Sequence, residues 1–364
     1  MKYIIDENKK QPAYLQLYMQ VRDDIIKGIY PHNSKLPSKR IISSDTGVST
    51  VTVEHAYALL CDEGYIESRE RSGYFVIFST DAGFVSPSSK NLSFPVHPHS
   101  RTSTIDFPFS VLSKTMRSVI SNFGESILER SPNPGCIELR EAIRLYLAQS
   151  RGIIADIDQI IIGSGSEYLY TLLIALFGRG HIFAIESPSY KQIEQVYTAA
   201  EIKLEKLPLG NDGIETEALR NSKADILHIS PYRSYPSGVT ATASKRHEYL
   251  TWAETNNRYI IEDDFESEFS VSKKLVETLF SHSHKDNVIY MNTFSMTISP
   301  SFRTGYMVLP KELSKIYQKK LGFFSCTVPT YIQFVLAELI KNGDFERHIN
   351  KVRRIKRKEI ESEK

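Results

Sequence analysis

The sequence predicts an α/β protein: a mostly parallel sheet covered by helices, preceded by a smaller helical unit. Three observations carry this expectation. From about Ile105 onward, short apolar runs alternate with stretches of helical period, the pattern of a parallel sheet buried on both faces. Ahead of it, over residues 11–79, two helical stretches flank a glycine turn and lead into a hairpin pattern. Between the two, residues 80–104 are rich in Ser, Pro and His and have no apolar period, which reads as a tether.

The 364 residues are enough for two domains and a large core. The net charge of +2 names no partner, so a nucleic-acid site has to be a local patch. Cys61, Cys136 and Cys326 show no metal or redox spacing, which fits a reducing compartment. The start, Met1 to Glu7, reaches charge too soon for a signal peptide, and runs such as Leu172 to Phe177 are too short to span a bilayer. A cytoplasmic chain is the expectation.

In the first unit, Tyr14 to Lys27 reads as an amphipathic helix with Leu17, Val21 and Ile25 on one side and Gly28 as its stop. Ser38 is a good N-cap for a short helix to about Thr46. Gly47-Val48-Ser49 makes a tight turn, and Thr50 to Cys61 is a second helix with Val53, Ala56, Tyr57 and Leu60 on one face. Tyr65 to Val76 reads as a hairpin with the charged tip Arg69-Glu70-Arg71.

Tyr14, Gln16, Gly28, Leu36-Pro37-Ser38, Arg40, Gly47-Val48-Ser49, Thr52-Val53, Ala56, Gly64, Gly73 and Phe75-Val76 together resemble the GntR-type winged helix-turn-helix. The resemblance implies a double-stranded DNA operator as partner, with the second helix in the major groove. Ser49, Thr50, Thr52 and His55 would face bases and backbone there, Lys39 and Arg40 would grip phosphates, and Arg71 and Gly73 at the wing tip would reach the minor groove. Thr50 stands where the family often has arginine. Residues 1–78 hold ten Lys and Arg against ten Asp and Glu, so a monomer would bind weakly, and a winged unit used for protein contact is the competing reading.

In the second unit, the strand candidates are Gln159–Ile162, Ile182–Ile185, Ile226–Ile229, Tyr259–Glu262, Val288–Met291 and Gly305–Val308, with helices Glu167–Leu176, Tyr190–Ala200 and Lys245–Thr255 between them. Ligands in such sheets sit at the carboxyl ends of strands. Candidate residues fall at those ends. Ser164-Gly165-Ser166 opens a helix and offers backbone N–H groups and hydroxyls to a phosphate. Tyr190 is either a stacking ring or a packing residue at a helix start. Tyr235 lies in a Pro/Gly turn. Glu262-Asp263-Asp264 is either a partner for a pyridine nitrogen or a solvated acidic loop. Thr293, Ser295, Thr297 and Arg303 supply hydroxyls and a planar cation suited to a dianion.

In this order, with Asn133-Pro134-Gly135 and Arg151-Gly152 upstream, these segments resemble a fold type I aminotransferase domain, the aspartate-aminotransferase-like fold. A GntR winged helix-turn-helix tethered to such a domain resembles the MocR family of pyridoxal-phosphate-dependent regulators. The resemblance implies phosphate contacts from Ser164, Gly165, Ser166, Thr293, Ser295 and Arg303. It implies ring stacking by Tyr190, a pyridine-nitrogen partner in Asp263, and Tyr235 near the ring's phenolic oxygen. It also implies a homodimer and a small amino-acid or vitamin B6 effector.

Three departures accompany it. Met296 stands where the family has its Schiff-base lysine, and a thioether has no amine to offer. Phe265 stands where a tyrosine is usual. The sequence ends at Lys364, so the small domain that the family carries next, with its carboxylate-clamping arginine, is expected to be missing, and Phe345 to Lys358 is the basic helix that would lead into it. The expected function is a DNA-binding regulator with a non-catalytic effector and dimerisation domain, any pyridoxal 5'-phosphate being held noncovalently and no metal bound. The competing readings are an aminotransferase-type enzyme, which lacks a base to move the Cα proton, and a decayed regulator.

Overall fold

The computed structural model describes residues 3–6, 11–79, 106–270 and 277–362. The chain divides into two compact units, Met1–Pro98 and His99–Lys364. The tether expected over 80–104 lies outside the described residues.

In the first unit α1 (Ala13–Ile26), α2 (Lys39–Thr46) and α3 (Thr50–Asp62) precede the hairpin β1 (Ile66–Arg69) and β2 (Gly73–Val76). Ser38 Oγ accepts from the Ile41 N–H and starts α2, while Gly47, at φ 75°, ends it in a left-handed turn that a side chain would resist. Ser49 caps α3 through the Thr52 N–H at 3.1 Å. Leu17, Val21 and Ile25 of α1 close on Val53, Ala56, Tyr57 and Leu60 of α3, with Ile66 and Val76 of the hairpin sealing the core. The antiparallel register pairs Ile66 with Val76 and Arg69 with Gly73.

The second unit begins with α4 (Phe109–Phe123) and α5 (Ile137–Arg151), followed by β3 (Ile160–Gly163), α6 (Ser166–Phe177), β4 (Ile182–Ser187), α7 (Lys191–Ala199), β5 (Lys203–Pro208), α8 (Thr216–Asn221), β6 (Ile226–Ile229), α9 (Ala243–Thr255) and β7 (Tyr259–Asp263). It continues through α10 (Leu279–His282), β8 (Val288–Thr293), β9 (Gly305–Val308), α11 (Lys311–Leu321), α12 (Thr330–Lys341) and α13 (Asp344–Ser362). The seven strands are ordered β3-β9-β8-β7-β6-β4-β5. Only β9 runs against its neighbours.

Alternate strand residues face opposite layers, as strand geometry requires. Ile161, Ile261, Ile289, Met291 and Met307 pack under α6, α7 and α11. Ile160, Ile162, Tyr290 and Val308 pack toward α5, α12 and α13. Ala184, Leu227, Ile260 and Val288 pack toward α8 and α9. The edge strand β5 escapes the sequence reading because Lys203, Glu205 and Lys206 interrupt it and only Leu207 is buried. Since β3, β4, β6, β7 and β8 are mutually parallel, Gly163, Ser187, Ile229, Asp263 and Thr293 end along one edge, and the site lies there.

Candidate ligand cleft and nucleic-acid face

At that edge a cleft of about 290 Å³ is lined by Ser166, Glu167, Tyr170, Tyr190, Ile193, Ser230, Tyr235, Asp263, Phe265, Thr293, Ser295, Met296 and Arg303. Eight of the expected residues thus meet: Ser166, Tyr190, Tyr235, Asp263, Thr293, Ser295, Met296 and Arg303. Gly165 lies just behind. It caps α6 at φ 94°, and a Cβ there would come within 3.3 Å of Arg303 Nη2, so glycine is what lets the guanidinium lie against the backbone. Ser164 does not line the cleft; its Oγ accepts from Thr327 Oγ1 at 2.8 Å. Thr297 is also turned away, buried with its hydroxyl directed at the Phe294 carbonyl.

The acidic run is not a solvated loop: Glu262, Asp263 and Asp264 are all buried, and each has a different partner. Glu262 accepts the Leu279 and Phe280 N–H groups at 2.9 and 3.0 Å, fastening α10. Burial, with Asp264 nearby, pushes its carboxyl up to about 8. Asp264 accepts from Tyr290 Oη at 2.8 Å and lies 3.6 Å from Arg151 Nε. Arg151 also bonds Glu268 at 2.5 Å, and Glu268 takes Tyr146 Oη at 2.9 Å. Asp263 points the other way, into the cleft. Its Oδ2 accepts from Tyr170 Oη at 2.5 Å and faces His228 Nε2 at 3.5 Å, while its buried Oδ1 has no hydrogen-bond partner among the described residues.

Tyr170 holds its proton, since burial and the Asp263 charge raise its hydroxyl well above the ordinary value. Beside this floor, Glu186 accepts from Ser234 Oγ at 2.6 Å and the Ser230 N–H at 3.2 Å, and burial pushes its carboxyl up to about 7. These bonds tie down the loop that carries Tyr235, whose ring meets Tyr190 edge-on at 5.9 Å. Sequence reasoning missed Glu167, Tyr170, Ile193 and Ser230 as lining residues. The signal for Tyr170 was its place one helical turn after Ser166, on the same face. The rim differs from the floor. Met296 is 55% exposed, and Arg303, held at φ 43°, pairs with Glu167 rather than standing free.

On the first unit, Arg40, Ser49, Thr50, His55 and Arg71 are exposed, and Thr52 and Gly73 half-buried. Ser49 and Thr52 share a hydroxyl bond at 2.8 Å, and His55 lies edge-on to Tyr14 at 5.8 Å. Lys39, expected to grip a phosphate, has its ammonium paired with Glu54 at 2.8 Å. Val51, at the start of α3, is 59% exposed beside them. Among the described residues no helix is long and apolar enough to cross a membrane, and no group of His, Cys, Asp and Glu is arranged to hold a metal ion.

Comparison with known proteins fits both units. Residues 13–76 match the bacterial regulatory proteins of the gntR family, and residues 106–361 match aminotransferase class I and II. The uncharacterized HTH-type transcriptional regulator YdeL of Bacillus subtilis is 32% identical over 95% of this chain and 77% of its own. The HTH-type pyridoxine biosynthesis transcriptional regulator PdxR of Corynebacterium glutamicum is 27% identical over 96% of this chain and 78% of its own. Among solved structures, the Pyrococcus horikoshii kynurenine aminotransferase superposes with a TM-score of 0.62 at 26% identity. That match covers 68% of this chain and 64% of the enzyme's. The chain therefore belongs to the HTH-type transcriptional regulators of the MocR type, in which a gntR-family unit is joined to a class I and II aminotransferase domain.

Proposed function

We propose that the aminotransferase-like unit is a non-catalytic sensor that holds a pyridine ligand of the pyridoxal 5'-phosphate class without a covalent bond, and that the winged unit reads an operator in the cytoplasm. The observation that carries this reading is the makeup of the cleft. Among its described lining residues there is no lysine, and Met296 stands at the rim where an amine would be needed. The unpartnered Asp263 Oδ1 fits a protonated pyridine nitrogen, because a buried acceptor without a donor is costly and a ligand N–H relieves it. Tyr190, Tyr235 and Phe265 fit the flat ring, and Ser166, Thr293, Ser295 and Arg303 fit a phosphate. Such a cofactor, when bound, supplies an electron-withdrawing ring. These residues bind and orient that ring, and no amine is at hand among them to move a proton.

On the first unit, Thr50, Val51 and His55 support base and thymine-methyl contacts, with Arg40 and Arg71 on phosphate and minor groove. Phe109, Ile120 and Leu128 stand exposed on and beside α4 and support a homodimer, which adds the contacts a neutral monomer lacks. Sedimentation showing only monomer at micromolar concentration would count against that.

The first test is a gel shift with the DNA upstream of the protein's own gene, with and without pyridoxal 5'-phosphate. A specific shift that the ligand alters supports the sensor. A shift that ignores it leaves a regulator without this ligand, and no shift at low salt overturns the DNA reading. Mass spectrometry after borohydride should find no adduct on a cleft residue; finding one would overturn the noncovalent reading.

A further inference from the structure

The rim of the cleft holds a feature that the noncovalent reading does not require. Among the described lining residues, Arg303 is the one cation, set against two carboxylates, Glu167 and Asp263. Arg303 Nη2 donates to Glu167 Oε2, and its guanidinium lies against Gly165, at the start of α6. Glu167 stands in the first turn of that helix, where the N-terminal end of the helix dipole favours a negative charge. A phosphate entering here meets a guanidinium that already has an anionic partner, and it meets that partner's charge as well. An unphosphorylated ring meets neither difficulty, since the carboxylate that would take its nitrogen, Asp263, is buried at the floor, away from the exposed Arg303–Glu167 pair.

We propose that Glu167 is a specificity-determining residue: by holding Arg303, it lets the cleft take phosphorylated and unphosphorylated pyridines with similar affinity. The inference rests on the reading of the cleft as a noncovalent pyridine site. Its test keeps the two separable. Wild type, Glu167→Gln, Arg303→Gln and the double variant are titrated calorimetrically with pyridoxine and pyridoxine 5'-phosphate. Neither ligand carries an aldehyde, so neither reacts with surface lysines. Both side chains are about half exposed, at 56% and 41%, so the variants should fold, and thermal melts check this.

Wild type is expected to bind the two ligands within about tenfold of each other. Glu167→Gln should tighten pyridoxine 5'-phosphate by about tenfold and leave pyridoxine unchanged. In the double variant that gain should vanish, because it needs the freed guanidinium.

If wild type binds both ligands and Glu167→Gln leaves the phosphate ester unchanged or weaker, Glu167 instead orients Arg303; the inference falls and the cleft reading stands. A wild type that already prefers the phosphate ester by a hundredfold or more also overturns the inference alone. If neither wild type nor Glu167→Gln binds either ligand, both fall. Tight binding of pyridoxine 5'-phosphate to Glu167→Gln, with pyridoxine bound by no variant, would overturn both the similar-affinity inference and the ring reading.

Discussion

Asp263 and Arg303 line one cleft, yet the fold treats their charges in opposite ways. Asp263 is 4% exposed, with one oxygen fixed by Tyr170 and the other left without a donor among the described residues. Arg303 is more than half exposed and already paired with Glu167. A buried acceptor whose position is over-determined acts as a pre-organised half of a hydrogen bond. An exposed ion pair contributes little to folding and is easily exchanged. The floor is therefore set by what the core needs, and the rim is free to be tuned by single substitutions.

That contrast can be broken most directly through stability. Arg151, beneath the floor, holds Glu268 and Asp264 in a fully buried cluster. Arg151→Ala strands two carboxylates and should cost roughly 3–5 kcal/mol in urea unfolding. Arg303→Ala should cost no more than about 1 kcal/mol. Equal losses would mean that floor and rim are not built differently.

Next in size is a pH effect from Glu186. Burial raises its carboxyl from 4.5 to about 7, so between those values the folded chain keeps a proton that the unfolded chain has released. Its contribution is complete below pH 4.5, declines as pH rises to about 7, and stays flat above. The total is about 3 kcal/mol at most. Glu186→Gln should flatten that part of the stability profile; an unchanged slope would place its origin elsewhere.

Asp263→Asn keeps the shape of the floor and removes its charge. Affinity for pyridoxine should drop about tenfold or more, the worth of a charge-assisted bond, by calorimetry. An unchanged affinity would disconnect the floor from ligand binding. The smallest effect belongs to the DNA-binding face. Glu54→Gln frees Lys39 and removes a negative charge, so operator affinity should rise about threefold at low salt, by fluorescence anisotropy. The gain should shrink as salt is added.

How much was legible follows the range of the interactions. The Ser38 and Ser49 caps, the Gly47 turn and the apolar faces of α1 and α3 are written within a few residues of one another, and the structure carries each of them. The central strands read well because continuous apolar runs mark burial on both faces, whereas β5 at the edge has no such run. The cleft was legible as a set of strand ends, but Ser164, Gly165 and Thr297 do not line it, and Glu167, Tyr170, Ile193 and Ser230 do. Hydroxyls and carboxylates in a row look alike in sequence. Which way each turns depends on strand parity and on the helix packed above it.

The sequence by itself determined the two units, their order, the cap and turn chemistry of the first, and the absence of an amine at position 296, because propensity, periodicity and residue identity are local properties. Only the tertiary structure decided the partners of the charges. Glu262, Asp263 and Asp264 are neighbours in the chain, but at the end of β7 the alternating backbone sends Asp263 to the cleft, Glu262 to α10 and Asp264, just past the strand, to Tyr290 and Arg151. Glu167 and Arg303 are 136 residues apart, and Lys39 and Glu54 are 15 apart. A charge acts on whatever the fold brings within a few ångströms, and chain distance does not measure that.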